Sequence, residues 1–358
     1  DHSGKAKEKG GLGIEIVPPC VNRSEASFDV VDGALVYALG ALKSVGIEAM
    51  RLITEARGDK PFVSLFDFAR RVDLKRVGKR PLEMLARAGA FDVLDANRRR
   101  VFESLEGLVS YSAAIAEQKS SNQVSLFGEA GEDLPEPRLA PVTDWLPAER
   151  LSEEFRAVGF YLSGHPLDDY LVALKRKGVM TLDEVMHKAQ SGPTVAKLAG
   201  VVAGRQERKS ARGNRFAFCQ LSDPTGAYEV TLFSEALEKS REHLETGQKV
   251  VITAEATMEA DQLKFLGRSV APVDIAVADL GSKGLRIFVE AEAAFPAISS
   301  VLDQANSQSG TKGPVFLCLL NSELPGEVEL DVGQDFVVNP QIKGALKSLP
   351  GVLEVEDA

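Results

Sequence analysis

Val195-Ala196-Lys197-Leu198-Ala199-Gly200-Val201-Val202, Phe216-Ala217-Phe218-Cys219-Gln220-Leu221 and Tyr228-Glu229-Val230-Thr231-Leu232-Phe233 share one feature. Apolar residues recur at every second position, whereas upstream they recur at every third and fourth. A period of two sends alternate side chains to opposite faces of a strand. Lys249 to Ala256 and Leu263 to Val270 continue the pattern, and Glu235 to Leu244 reads as a helix between the third and fourth strands. Five strands with one helix after the third predict a small OB-type barrel over 193–275.

Downstream, over 276–358, the order is strand (Leu285 to Val289), helix (Ala293 to Gln304), strand (Val315 to Leu320), strand (Glu327 to Val332), helix (Pro340 to Leu349), strand (Val352 to Val355). That is the βαββαβ order of a ferredoxin-like α+β domain. Upstream, 151–192 reads as a helical connector interrupted by Gly159 to Leu167. Residues 117–150 lose periodicity and carry Ser, Gly, Glu and the prolines Pro135, Pro137, Pro141 and Pro147, the composition of a mobile linker.

Before it lie two helix, tight hairpin, helix patterns, predicting a tandem helix-hairpin-helix domain over 28–116, with 1–27 as a lead-in. In the first, Leu35, Ala38, Leu39 and Leu42 keep helical spacing, Lys43 to Ile47 interrupts, and a second amphipathic run reaches Ala56. In the second, a helix through Phe66 and Ala69 meets the loop Lys75 to Arg80, then a helix opened by Pro81 and closed by Gly89. A further helix presents Val101, Leu105 and Leu108 on one face. The fold class is multidomain α+β: tandem helix-hairpin-helix domain, OB-type five-stranded barrel and ferredoxin-like C-terminal domain.

The 358 residues suit two or three domains, and 44% hydrophobic with 26% charged residues is a soluble composition. No run approaches a membrane span, so no membrane partner and a cytoplasmic location are expected. Cys20, Cys219 and Cys318 are scattered and odd in number, which indicates neither a disulfide framework nor a zinc cluster. The chain begins at Asp1 with no signal segment and reads as a piece that starts in mid-chain.

A net charge of -10 opposes simple polyanion binding, because such affinity comes from Lys and Arg at phosphates. The distribution qualifies this. Residues 70–100 carry ten Lys and Arg against four Asp and Glu, while 276–358 carry five against twelve. One region therefore suits DNA and another suits protein.

Lys43, Ser44 and Gly46 sit in the first hairpin, where glycine lets backbone N–H groups approach a phosphate beside a helix N-terminus. The bland alternative is an ordinary helical turn. In the second loop Lys75, Arg76, Lys79 and Arg80 surround Gly78, a duplex phosphate contact or a solvated charged loop. Gln123-Val124-Ser125-Leu126-Phe127 lies in the polar linker. Gln123, Leu126 and Phe127 there combine apolar anchors with a polar group, as a peptide docking on a partner does, or pack on their own domain.

In the barrel, Arg205, Arg208, Lys209, Arg212 and Arg215 meet only Glu207, and Phe216 and Phe218 follow on a strand. Basic groups with exposed rings bind single strands; otherwise the arginines form a solvated hairpin and both rings enter the core. His165 beside Pro166 has no catalytic company and fits a turn or cap. No carboxylate pair for phosphoryl transfer and no Walker loop stands out, so neither catalytic nor metal-ligating residues are assigned.

Gly13-Ile14-Glu15-Ile16-Val17-Pro18-Pro19-Cys20-Val21-Asn22, Gly159 to Leu167, and Arg212-Gly213-Asn214-Arg215 with Leu221-Ser222-Asp223 resemble, in that order, segments of the bacterial DNA polymerase III alpha subunit. The resemblance covers nearly the whole chain and implies its C-terminal, non-catalytic region, supporting processive chromosomal replication. It implies that 28–116 contacts double-stranded DNA and that Gln123, Leu126 and Phe127 dock on the sliding clamp, the beta subunit. It also implies that the barrel sits at single-stranded template and that 276–358 binds the clamp-loader tau subunit. The polymerase palm with its Mg2+ and the N-terminal PHP domain would lie upstream, so no cofactor and no polymerising activity are expected in this chain. Ser44 stands where the resemblance implies glycine. Two other readings are the corresponding region of an error-prone relative and a free-standing OB protein binding single-stranded nucleic acid or tRNA.

Overall fold

The computed structural model describes residues 15–120, 134–210, 213–259, 262–278, 284–306, 311–320 and 328–358. They fall into two compact units that divide after Ser163.

The first unit opens with a sheet of β1 (Ile16–Val17), β2 (Asp29–Val31) and β3 (Ala34–Val36), in the order β1-β3-β2. Here the structure corrects the helix expected from Leu35 to Leu42. Asp32 and Gly33 both take positive φ, 51° and 81°, the two-residue Asp-Gly turn that reverses a hairpin, and β3 pairs antiparallel with β2 and parallel with β1. Helical content in that stretch is limited to a 3-10 turn at Leu39–Ala41. Ala38, Leu39 and Leu42 are buried all the same, so the apolar spacing reported burial and not helix.

Six helices follow: α1 (Ile47–Arg57), α2 (Leu65–Arg71), α3 (Leu74–Val77), α4 (Lys79–Arg87), α5 (Arg98–Ser120) and α6 (Pro147–Val158). Short helices need caps because their first N–H groups lack partners. The Ser64 hydroxyl accepts from the Asp67 N–H at the start of α2, and the Asp73 carboxylate accepts from the Arg76 N–H in α3. Their apolar faces meet around Met50, Ile53, Phe68, Leu82, Leu85, Phe91 and Leu108, all nearly inaccessible. Phe68 sits edge-on to both Phe62 and Phe91, with centroids 5.0 and 5.1 Å away. The expected loop at Lys75 to Arg80 contracts to one joint: Gly78, at φ 92°, ends α3 and begins α4.

Part of the expected mobile linker is fixed to this unit. Leu134 and Leu139 pack on its core, the Asn97 side chain donates to the Val142 carbonyl at 2.8 Å, and Trp145 packs against Phe102. Glu136 pairs with Arg70, and Asp144 accepts from the Arg99 N–H at 3.0 Å. Pro-rich composition lowers local order, but polar groups along α5 supply the bonds that strand pairing or helix would otherwise provide.

The second unit begins with a 3-10 turn at Asp168–Tyr170, α7 (Leu171–Arg176), β4 (Val179–Met180) and α8 (Leu182–Ala189), the last opened by a Thr181/Glu184 capping box. The barrel follows as β5 (Thr194–Lys209), β6 (Arg215–Asp223), β7 (Gly226–Phe233), α9 (Ser234–Ser240), β8 (Lys249–Glu259) and β9 (Gln262–Pro272). β5 bridges two neighbours. Its first half, Thr194–Val201, pairs with Lys249–Ala256 of β8, and from Val201 onward it pairs with β6, in a ladder whose register shifts between Val202 and Gly204. With β7 parallel to β9 and β8 antiparallel to β9, the circuit β5-β6-β7-β9-β8-β5 closes, as the alternation of two predicted. Val230, Leu232, Ile252, Ala254 and Leu198 fill it. Gly267 permits the parallel contact: a Cβ there would stand 2.4 Å from Leu232 Cδ2.

After α10 (Val273–Val277), the last domain comprises β10 (Leu285–Val289), α11 (Phe295–Asn306), β11 (Lys312–Leu319), β12 (Val328–Val337), α12 (Pro340–Lys347) and β13 (Val352–Asp357). The βαββαβ order and α+β class stand as read. The sheet order is β12-β11-β10-β13, with β10 directly beside and parallel to β11, so no third strand splits that crossover.

Candidate nucleic-acid interface

The first hairpin is built around a backbone conformation that its sequence does not advertise. Ser44 takes φ 60°, in the left-handed region that glycine favours, so the glycine implied by resemblance has a physical counterpart here. Gly46 then caps α1 with extended backbone and no capping side chain, and nothing would meet a Cβ at Gly46 within 4 Å. The space beside Gly46, at the N-terminus of α1, is therefore open, although Glu48 in the first turn, paired with Arg51 at 2.7 Å, puts a carboxylate at the same end. Lys43 is held differently. Its N–H donates to the Ala157 carbonyl at 2.8 Å and its ammonium lies 5.2 Å from the Phe155 ring centroid, over the end of α6.

Folding brings the two hairpins together. The Arg80 guanidinium donates to the Ser44 hydroxyl at 3.3 Å. Lys75 and Arg76 are exposed on α3, Lys79 and Arg80 in the first turn of α4, and Gly78 lies between them. Lys79 stands 4.0 Å from the Glu106 carboxylate. A helical arrangement spaces these cations more rigidly than the expected loop would.

In the barrel, the direction of the two rings is decided. Ala217, Cys219 and Leu221 are buried in the core, so Phe216 and Phe218 face outward, half-buried against each other with centroids 5.4 Å apart. Across the ladder Phe216 opposes Arg208 and Phe233, and Phe218 opposes Gln206. The Arg208 guanidinium lies 5.4 Å from the Phe218 centroid, and Phe233, 56% exposed, has its ring 6.2 Å from Phe216. Three rings on the outer face of β6 and β7, the strands on which OB folds take oligonucleotides, thus stand beside a cation from the end of β5.

Phe233 was missed in the sequence, yet its signal was there: it falls in phase with Glu229 and Thr231, not with the core residues Val230 and Leu232. Lys209 and Arg215 sit opposite each other and exposed at the end of the β5–β6 ladder.

Arg205 does not join them. Its guanidinium donates to the Arg241 carbonyl at 2.8 Å and pairs with Glu207 and Glu245 at 3.4 and 3.3 Å. It belongs with Cys219 in the ladder and ties β5 to the segment after α9. Arg212, and the linker residues Gln123, Leu126 and Phe127, lie outside the described residues.

His165 has the structural role expected of it. The Leu167 N–H donates to Nδ1 at 3.2 Å, which leaves Nε2–H to meet the Ser222 hydroxyl at 3.2 Å. Burial pushes its pKa down to about 4. Among the described residues no group of three or more His, Cys, Asp or Glu is placed to hold a metal ion, and no helix is long and apolar enough to cross a membrane.

Residues 13–101 match a helix-hairpin-helix motif, and residues 196–269 match an OB-fold nucleic acid binding domain. Over 351 residues, 97% of this chain, the sequence is 38% identical to the DNA polymerase III subunit alpha of Caulobacter vibrioides. The chain belongs to the DNA polymerase III alpha subunit family. The Escherichia coli K12 subunit is 33% identical over 271 residues, 74% of this chain and 23% of that protein. This chain spans 30% of the length of the Caulobacter protein. A mitochondrial single-stranded DNA binding protein from S. cerevisiae aligns with 22% of the chain and 94% of its own, at 21% identity and a TM-score of 0.20.

Proposed function

We propose that this chain is the DNA-holding, C-terminal region of a replicative polymerase alpha subunit, serving processive chromosomal synthesis without forming phosphodiester bonds itself. The observation that carries the reading is the outward cluster of Phe216, Phe218 and Phe233 with Arg208 on the barrel. Rings stack on bases of any sequence and a guanidinium neutralises phosphate, so such a face holds a single strand without reading it. The exposed cations on α3 and α4, beside the open turn at Gly46, suit the sugar-phosphate backbone of a duplex.

The remaining assignments extend the same reading. Gln123, Leu126 and Phe127 dock on the sliding clamp, and the acidic C-terminal domain, 276–358, engages the clamp-loader tau subunit. The Mg2+-dependent polymerase chemistry belongs to the part of the relatives outside the match, and the setting is the cytoplasm.

The test is direct. Anisotropy titration of the whole chain with a labelled single strand should show binding that falls at least tenfold in Phe216→Ala/Phe218→Ala, with duplex affinity little changed. Equal affinity of variant and wild type for the single strand would remove the assignment. For the clamp, Leu126→Ala/Phe127→Ala should abolish binding to purified beta subunit, and unchanged affinity would withdraw that contact.

A further inference from the structure

β12 is the edge strand of the C-terminal sheet, and among the described residues nothing pairs with its outer side. Its register with β11 sets Val328 opposite Leu319 and Leu330 opposite Leu317; Val332 is next in the alternation, at the register shift between Asp331 and Gly333. Those three remain 37%, 45% and 39% exposed, although Ile287 and Val315 on the inner strands are fully covered. Glu329 and Asp331 face the other way, opposite Cys318 and Phe316. Edge strands are ordinarily protected by Lys or Pro. Val328–Val337 has neither, and carries the acids Glu329, Asp331 and Asp335 with no basic residue.

We propose that Val328–Val332 receives an added β-strand from a protein partner, an extended segment alternating apolar and basic residues. Main-chain bonds to the open edge supply affinity, and the alternation supplies specificity. Incoming apolar side chains continue the row of Val328, Leu330 and Val332, while basic ones meet Glu329 and Asp331. Both acids are held in place: Glu329 bonds Arg286 at 3.1 Å, and Asp331 accepts from the Gly333 N–H at 3.0 Å.

Charge selects this occupant over two others. A second copy of β12 would set one acidic row against another, which is destabilising, and a nucleic acid would find no cation on the strand. Gly333, at φ 144° beside the register shift, ends the regular edge, so the added strand covers about five residues.

The inference rests on the proposal that this domain engages tau, and tau is the probe. Surface plasmon resonance on the full chain should show Leu330→Lys and Val332→Lys binding tau at least tenfold more weakly. Leu353→Lys, exposed on the opposite edge strand, should bind as wild type. Hydrogen exchange should slow at Val328–Val332 when tau is bound. Should Leu330→Lys unfold the domain, Val328→Thr/Val332→Thr, which retains strand propensity, replaces it. Undiminished affinity in the edge variants, or protection appearing on β13 instead, overturns the edge assignment and leaves tau binding intact. Failure of the wild-type chain to bind tau overturns both.

Discussion

Arg80 reaches across to Ser44, its guanidinium 3.3 Å from the hydroxyl, and so joins two hairpins that are 36 residues apart in sequence. The bond is exposed and modest in energy. What it marks is a shared surface, because a backbone turn with open space at Gly46 and the cations of α4 now lie side by side. Ser44 itself is strained at φ 60°.

Ser44→Gly should therefore stabilise the unit. A left-handed conformation costs an L residue roughly 1–2 kcal/mol, partly returned when glycine frees the unfolded chain, so a net gain of about 0.5 kcal/mol is expected. Ser44→Val, with a branched Cβ, should lose about 1–2 kcal/mol. Urea denaturation measures both, and a variant order of Val above Gly would refute the strain.

Charge reversal at Arg76 and Lys79 should weaken duplex binding and flatten its salt dependence. Every phosphate that is no longer neutralised takes about 0.9 off the slope of log K against log salt. Affinity measured from 50 to 200 mM salt reads both effects. A reversed variant with the wild-type slope would place the duplex elsewhere.

The barrel separates cations that the sequence grouped. Arg205→Ala should lower thermal stability, because the carbonyl of Arg241 and the carboxylates of Glu207 and Glu245 lose their common partner. Arg208→Ala and Phe233→Ala should leave the melt nearly unchanged and weaken single-strand binding, by about 1–3 kcal/mol for the stacking ring. Binding loss confined to Arg205→Ala would reverse the assignment.

That contrast shows where sequence was sufficient. Barrel strands were legible because Val230, Leu232, Ile252 and Ala254 enforce a period of two, which survives any tertiary context. The βαββαβ domain was legible for the same reason. The direction of Phe216 and Phe218 was not, since Ala217, Cys219 and Leu221 make both phases of β6 apolar. At Leu35 to Leu42, burial imitates a helix, and the signal that decides otherwise is the Asp32-Gly33 turn just upstream. Arg205 could not be distinguished from Arg208 because its partners, at 241 and 245, are distant in sequence.

Glu154 offers a stability test in the first unit. It is 1% exposed, accepts from the Leu162 and Ser163 N–H groups at 2.6 and 2.9 Å, and faces Arg98 at 3.4 Å. Glu154→Ala leaves buried donors unanswered and should cost about 3 kcal/mol. Glu154→Gln retains an acceptor for both N–H groups and should cost less. Equal losses in chemical denaturation would mean that the charge opposite Arg98, not the loop, accounts for the burial.

His165 gives the second unit a pH signature whose sign follows from its depressed pKa. Above pH 6.5 the imidazole is neutral in folded and unfolded chains, and its contribution is complete. Below that the unfolded chain takes up a proton that the buried ring, with pKa about 4, declines, so stability falls between pH 6.5 and 4. At 1.36 kcal/mol for each pKa unit, the loss approaches about 3 kcal/mol. His165→Gln can keep a donor toward Ser222 but does not titrate, so its stability should fall less over that range. Parallel pH profiles for wild type and variant would show that carboxylates, not His165, govern acid unfolding here.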